Sequence, residues 1–201
     1  MRDHSFEYLL ENNPLRTYVR ELLEVRPLRA ATDVGRIGRA LHIACGNGRP
    51  TQLILKYFSA DQVSAVDREP ELITAACRER GGGPIDFSVQ GVDSLAFDDD
   101  SFDAAFDLAD LHNLADWPAG LRELARVLRP GGLLILEELS RESFQYAAGR
   151  LFKALTEHPY ESMLTAKEFQ DAVVQAGFHI LHFEERCPFR LLKYFIMIAR
   201  K

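Results

Sequence analysis

Residues 40–51 read ALHIACGNGRPT and contain the turn that decides the fold. The part from 40 to 45 is mainly apolar and predicts a buried strand, and the apolar spacing beyond Pro50 predicts a helix. In an open parallel sheet, ligands bind at the carboxyl ends of the strands, and the first turn from strand to helix is the usual anchor. Gly46 and Gly48 form this turn. Glycine lacks the Cβ that keeps a ligand away from the backbone, so both are predicted to line a ligand site.

An acidic residue, Asp67, ends the next predicted strand, QVSAVD. It follows the turn by about 20 residues, the spacing at which a carboxylate accepts hydrogen bonds from both ribose hydroxyls of a nucleoside. The dinucleotide fingerprint GxGxxG is incomplete, because Thr51 stands where the third glycine belongs. The sequence therefore predicts a ligand that contains adenosine and argues against a dinucleotide.

Strands and helices alternate along the middle of the chain. Further strands are predicted at 85–90, 102–108 and 133–139, with helices at 69–80 and after Asp116. Such alternation is typical of a mostly parallel sheet covered by helices on both faces, a doubly wound α/β fold.

The pattern changes after residue 139. Thr165 and Glu168 predict a capping box for a helix that ends at Gly177. The last two predicted strands, 178–185 and 190–199, are close enough in sequence to form a hairpin, which places one antiparallel strand in the sheet. We expect a single domain over 1–201, with an N-terminal helical segment at 1–39, a ligand-binding core at 40–139, and cap helices with the hairpin at 140–201.

Composition narrows the functional classes. The chain has 24 basic and 30 acidic residues, a net charge of -6, so it lacks the overall positive field that attracts nucleic acids. Cys45, Cys77 and Cys187 are odd in number and widely spaced, which argues against disulfides and structural zinc and favours the reducing cytoplasm. No apolar run approaches the roughly 20 residues that span a bilayer, and no secretion signal is apparent. We expect a cytoplasmic protein with neither membrane nor nucleic-acid partner, while the oligomeric state stays open.

Four segments, taken together and in order, resemble the class I S-adenosylmethionine-dependent methyltransferases, especially the small-molecule, type 11-like branch. They are LHIACGNG, VSAVD, VDSLAFDDDSFDAAF and LRELARVLRPGGLLILEE. The resemblance runs from Leu41 to Leu139, and HPYESMLTAKEFQDAVVQAGF at 158–178 is similar to the same branch. It implies a Rossmann-like fold, S-adenosylmethionine as cofactor, and methyl transfer to a small molecule.

The resemblance also implies roles for individual residues. The glycine turn would hold the methionine part of the cofactor, Asp67 would bind the ribose, and Arg68 would flank the adenine. The loop after the third strand would read the adenine amino group, and Asp107 would meet the methionine amino group. The implied cofactor-binding residues are Ala44, Cys45, Gly46, Gly48, Asp67, Arg68, Val92, Asp93 and Asp107.

Three positions depart from the family pattern. His42 stands where members usually have an acidic residue, Ala44 where they usually have glycine, and Gly91 where the acidic residue of the adenine loop is expected. These departures leave open a non-catalytic binding or regulatory homologue. A nucleotide-dependent oxidoreductase is a further alternative, which Thr51 and the antiparallel ending disfavour.

Methyl transfer from a sulfonium is an in-line displacement, in which the enzyme mainly positions the acceptor and excludes water. An acceptor hydroxyl or carbon acid must also lose a proton, and His112, after the fourth strand, is the candidate base. A histidine that only packs the loop is an equal alternative. Of Glu137 and Glu138, adjacent on strand five, one is predicted to face the acceptor pocket and the other to be a solvated charge. His179 and His182 are predicted to face opposite sides of a strand, which argues against a shared metal.

Overall fold

A seven-stranded sheet lies at the centre of the protein. The computed structural model describes residues 14–79, 83–114, 116–146, 149–150, 163–187 and 193–201, and of residues 14–16 the backbone alone. The strands are β1 Ile37–His42, β2 Ala60–Asp67, β3 Ile85–Val89, β4 Phe102–Leu108, β5 Leu128–Leu139, β6 His179–Arg186 and β7 Tyr194–Arg200.

The strands lie in the order β3-β2-β1-β4-β5-β7-β6. Strands β1 to β5 are parallel to one another, and β7 runs antiparallel to both β5 and β6. The prediction of a Rossmann-like, mostly parallel sheet with one antiparallel strand in a C-terminal hairpin is therefore confirmed. The strand order reverses between β1 and β4, and ligands bind at such a switch point, outside the carboxyl ends of the strands.

Helices cover both faces of the sheet. They are α1 Pro14–Arg20, α2 Arg26–Ala31, α3 Arg49–Phe58, α4 Pro70–Glu79, α5 Trp117–Val127 and α6 Ala166–Gln175. A π-helical turn, Glu21–Val25, joins α1 to α2, and 3-10 turns occupy Leu111–Asn113 and Arg141–Gln145. Helices α5 and α6 bury apolar side chains against one face, and α2, α3 and α4 bury theirs against the other. This two-sided burial is the main favourable term in folding and holds the strand ends in place.

Strand β1 begins and ends three residues earlier than the prediction of 40–45. Ile37 pairs with Ala60 and Arg39 with Gln62, although Arg39 is exposed. The apolar run at 40–45 therefore predicted only the part of β1 that the helices bury. Beyond β1 the chain leaves the sheet gradually, because the amide of Cys45 still donates to the carbonyl of Val66 at 2.9 Å.

The capping signals agree with the structure. The hydroxyl of Thr165 accepts from the amide of Glu168, and the Glu168 carboxylate accepts from the amide of Thr165, so the predicted capping box of α6 is confirmed. The helix ends before Gly177, whose φ of +93° favours glycine. Asp116 caps α5 by accepting from the amide of Ala119 at 3.0 Å.

A bulge in β6 makes the prediction for His179 and His182 wrong. His179 pairs with Arg200 and His182 with Ile198, and the register shifts between Ile180 and His182. Because the two partners on β7 are two residues apart, both histidines lie on one side of the sheet. The extra residue of the bulge reverses the alternation expected of a regular strand. Within the described part of the chain, no three His, Cys, Asp or Glu side chains are grouped to hold a metal.

Among the described residues, no helix combines the length and the apolar character needed to cross a membrane.

Candidate active site

The carboxylate of Asp67 contacts the glycine turn. Its Oδ2 accepts a hydrogen bond from the amide of Gly46 at 2.9 Å, and its Oδ1 accepts from the amide of Glu69 at 2.9 Å. The side chain is largely buried. The turn after β1 and the end of β2 therefore meet at the switch point of the sheet.

The two glycines of the turn serve different purposes. Gly46 has a φ of +56°, and a Cβ on it would meet nothing within 4 Å, so its Cα faces open space. Gly48 has a φ of +79°, and a Cβ there would lie 2.8 Å from Phe87 Cζ and 3.0 Å from Ala76 Cβ. Gly46 therefore leaves room for a ligand, whereas Gly48 lets β3 and α4 pack against the start of α3. For Gly48, close packing is therefore a second reason for glycine beside the predicted place at a ligand site.

His42, which departs from the family pattern, is paired with Thr51, which departs from the dinucleotide fingerprint. The buried ring of His42 is hydrogen-bonded through Nδ1 to the hydroxyl of Thr51 at 2.9 Å. Burial lowers the pKa of His42 to about 3, and the nearby charge of Arg20 adds to this effect. The ring is therefore neutral at physiological pH. It occupies the place of the usual acidic residue without bringing a charge, and Thr51 in place of glycine supplies its polar partner.

Ala44 adopts a φ of +46°, a conformation that favours glycine. The turn thus keeps the backbone shape that the family forms with glycine, at the cost of local strain. The neighbouring thiol of Cys45 is buried, and burial together with the charges of Asp67 and Asp110 raises its pKa, so the thiol stays protonated.

Arg68 and Asp93, the residues predicted to lie near the adenine, follow β2 and β3 and lie close together. Arg68 Nη2 lies 3.5 Å from Asp93 Oδ1, and both side chains are about half exposed. A Cβ at Gly91 would lie 2.5 Å from Asp93 Oδ1, so glycine at this position gives the carboxylate its space. Val92, in contrast, is buried in the core against α5, which leaves its backbone as the part that can face a ligand.

Asp107 lies inside the protein beside Glu138. Its side chain is fully buried, and its Oδ1 accepts from the amide of Asp110 at 3.1 Å. Burial and the adjacent carboxyl of Glu138 raise the pKa of Asp107 well above its usual range. The charge of Asp110, after that of Asp67, also acts on the thiol of Cys45. The sequence analysis missed Asp110 because the chain turns at Ala109, which has a φ of +65° that no local motif announces.

His112 is held by Glu138. The two side chains meet between His112 Nδ1 and Glu138 Oε2 at 2.6 Å, and the amide of His112 donates to Glu138 Oε1 at 3.2 Å. Burial raises the pKa of Glu138 to about 7. Glu137 lies on the opposite face of β5 and is also buried, so the prediction that one of the pair is a solvated charge is wrong. Both faces of this central strand are covered, a tertiary property that the alternation of side chains does not reveal.

Comparison with known proteins identifies the family. The family model described as a methyltransferase domain matches residues 41–136. A ubiquinone biosynthesis O-methyltransferase of Parvibaculum lavamentivorans is 28% identical over 88% of this chain and 74% of its own length. The matched domain, this relative and the solved structures support a class I S-adenosylmethionine-dependent methyltransferase.

Other relatives match a smaller part of this chain. A ubiquinone biosynthesis O-methyltransferase of Xanthomonas oryzae is 35% identical over 54% of this chain, which spans 46% of that relative. Solved structures share the fold. A methyltransferase of Mesorhizobium loti superposes with a TM-score of 0.71 at 21% identity, covering 88% of this chain and 96% of its own. The 4+2 cyclase SpnF superposes with a TM-score of 0.73 at 21% identity, covering 90% of this chain and 80% of its own.

The crevice of this methyltransferase fits S-adenosylmethionine, the cofactor of the family. Gly46 leaves open space at the turn, and the oxygens of Asp67, each with a second lone pair, can accept ribose hydroxyls beside it. The protonated Cys45 thiol is not poised for covalent chemistry. Methyl transfer needs no protein nucleophile, since the sulfonium of the bound cofactor supplies the methyl group.

Proposed function

We propose that this methyltransferase transfers the methyl group of S-adenosylmethionine to a small-molecule acceptor. The observation that carries the proposal is the contact between Asp67 and Gly46, which brings a carboxylate and an open backbone turn together. The relative from Parvibaculum lavamentivorans, named as an O-methyltransferase of ubiquinone biosynthesis, supports a small acceptor. The net charge of -6 argues against a nucleic-acid acceptor. Three free cysteines suit a cytoplasmic location.

Each part of the cofactor has a candidate partner. The backbone of Ala44, Cys45 and Gly46 would hold the methionine part, and Asp67 would accept from the ribose hydroxyls. Arg68 and Asp93 would flank the adenine, together with the backbone of Val92, and Gly48 would shape the turn from behind. For the methionine ammonium we propose Asp110 in place of Asp107, because the charge of Asp110 reaches the turn at Cys45 and the carboxyl of Asp107 is fully buried.

His112 is the proposed base. The ring lies after β4, at the ligand edge of the sheet, and is almost completely buried, so bulk water does not compete for the acceptor proton. Its role would be to take that proton as the acceptor atom forms its bond to the methyl carbon.

Calorimetry with S-adenosylmethionine and with its product S-adenosylhomocysteine tests the cofactor site directly. We expect both to bind with micromolar dissociation constants, and we expect a screen with methyl-labelled cofactor to transfer label to small acceptors. Failure of both nucleosides to bind at millimolar concentration would favour a non-catalytic relative, and binding of a nicotinamide cofactor would favour an oxidoreductase.

A further inference from the structure

A buried polar group made by Asp107, His112 and Glu138 lies on the α5 side of the sheet. Each of the three residues is at most 4% exposed. The proposed cofactor contacts use neither carboxylate of this group. Burying two carboxyl groups beside a histidine costs folding free energy unless bound protons and hydrogen bonds offset the loss of hydration.

Of the two carboxyls, Glu138 is the one whose hydrogen bonds favour the ionised form. Its Oε1 accepts from the amide of His112 at 3.2 Å, and its Oε2 accepts from the amide of Leu139 at 3.2 Å. Amide donors stabilise the charged form of a carboxylate. An ionised Glu138 can only accept, so the ring Nδ1–H of His112 donates to it across 2.6 Å. With its proton on Nδ1, the neutral ring offers Nε2 as its basic nitrogen.

Asp107 is the protonated member. Its Oδ1 accepts from the amide of Asp110, whereas its Oδ2 receives no hydrogen bond from any described residue. The carboxyl contacts that of Glu138. Two buried carboxyls in contact cannot both ionise at low cost, so they share one proton. The shared proton is therefore bonded to Oδ2 of Asp107, the oxygen that accepts no hydrogen bond from a described residue.

We propose that Glu138 is a positioning residue that fixes the ring of His112 as a proton acceptor, with Asp107 holding the shared proton behind it, and that the methyl acceptor is a hydroxyl or a carbon acid. The proposal rests on the proposed function above. It adds the class of acceptor, because an amine is nucleophilic in its neutral form and does not require a buried carboxylate to hold a base.

The chemistry balances without a further reactant. The acceptor gives its proton to Nε2 of His112, its electron pair forms the bond to the methyl carbon, and the electrons of the carbon–sulfur bond stay on sulfur. The charge of Glu138 stabilises the imidazolium that forms, and the imidazolium then returns its proton to solvent.

The first test measures the pH titration of the His112 ring by nitrogen NMR in the protein bound to S-adenosylhomocysteine, with His112→Asn to assign the signal. In Glu138→Gln the ring loses its anionic partner, and we expect its titration midpoint to fall by about one pH unit or more. Glu137→Gln is the matched control, because it makes the same change on the opposite face of β5 and should leave the midpoint unmoved. A midpoint that stays in place in Glu138→Gln overturns the positioning role.

Binding of S-adenosylhomocysteine to the same samples separates this inference from the proposed function. If the wild-type protein does not bind S-adenosylhomocysteine, the proposed function is overturned. If it binds but the titration midpoint of His112 is unchanged in Glu138→Gln, only the positioning role is overturned. A methyl-label screen of phenols and of carbon acids such as 1,3-dicarbonyl compounds, against primary amines, tests the acceptor class. Transfer to a phenol or a carbon acid supports it, and transfer to amines alone, or to none of the three classes, overturns it.

Discussion

Asp67 Oδ2 lies 2.9 Å from the amide nitrogen of Gly46, so a carboxylate from the end of β2 contacts the first residue of the glycine turn. The two residues are separated by a helix and a strand in sequence. They meet because parallel pairing of β1 with β2 brings both carboxyl ends to one edge.

Asp67→Asn is predicted to weaken S-adenosylhomocysteine binding by about 10- to 100-fold, the value of one or two charge-assisted hydrogen bonds. The amide group also turns a donor toward one of the two backbone amides that the carboxylate accepts from. Calorimetry measures the effect. Asp61→Asn is the control, because Asp61 lies near the start of the same strand and pairs with Arg36 at the surface. Equal losses in both variants would contradict the assignment.

The glycines of the turn should separate stability from binding. Gly48→Ala is predicted to lower the free energy of unfolding by about 2–4 kcal/mol, because strain at positive φ adds to overpacking against Phe87. Gly46→Ala meets no neighbour and should cost only about 1–2 kcal/mol, with its main effect on S-adenosylhomocysteine affinity. Denaturant unfolding and calorimetry measure the two effects. A larger stability loss in Gly46→Ala would be inconsistent with these roles.

His42 should make the protein less stable in acid. Its pKa in the folded protein, about 3, is below the ordinary value of 6.5. Between pH 3 and pH 6.5 the ring is therefore protonated in the unfolded chain and neutral in the native protein. This group's contribution therefore falls as pH drops below 6.5, by about 1.4 kcal/mol per pH unit. In His42→Asn this dependence disappears, and the stability difference from wild type should change by about 2 kcal/mol between pH 7 and pH 5.

Urea unfolding at the two pH values measures the difference for His42→Asn. His179→Asn, which removes an exposed ring, is the control and should leave the pH dependence unchanged. A constant difference between wild type and His42→Asn at both values would mean that the ring is not held neutral.

Asp107 should have the opposite pH effect. Its pKa is raised in the folded state, so the native protein keeps a proton that the unfolded chain releases, and stability from this group is lost as pH rises above the ordinary carboxyl range. Asp107→Asn mimics the protonated carboxyl at every pH. Relative to wild type, we expect it to gain about 1 kcal/mol or more between pH 4 and pH 8. Urea unfolding checks this, with exposed Asp171→Asn as control, and no gain would argue against the shared proton.

Much of the fold could be predicted from the sequence because its signals are local. The apolar run before Gly46, the capping box of Thr165 and Glu168, and the hairpin spacing near the end each depend on residues close in the chain. Strand boundaries were less accurate, since Arg39 pairs in β1 without an apolar pattern. The bulge that brings His182 to the same side of the sheet as His179 has no sequence motif that marks it.

The sequence by itself determined the doubly wound sheet, its antiparallel ending, the family resemblance, and the positions of Asp67 and His112 at the carboxyl edge of the sheet. Only the tertiary structure decided that a Cβ at Gly48 would meet Phe87, that His42 and Thr51 are hydrogen-bonded, and that the buried Asp107 lies beside Glu138 while the charge of Asp110 acts on Cys45. The physical reason is the distance along the chain over which each interaction acts. Hydrophobic period and turn chemistry act over a few residues, whereas burial, contact between carboxyls and the space beside a glycine depend on strands far apart in the chain.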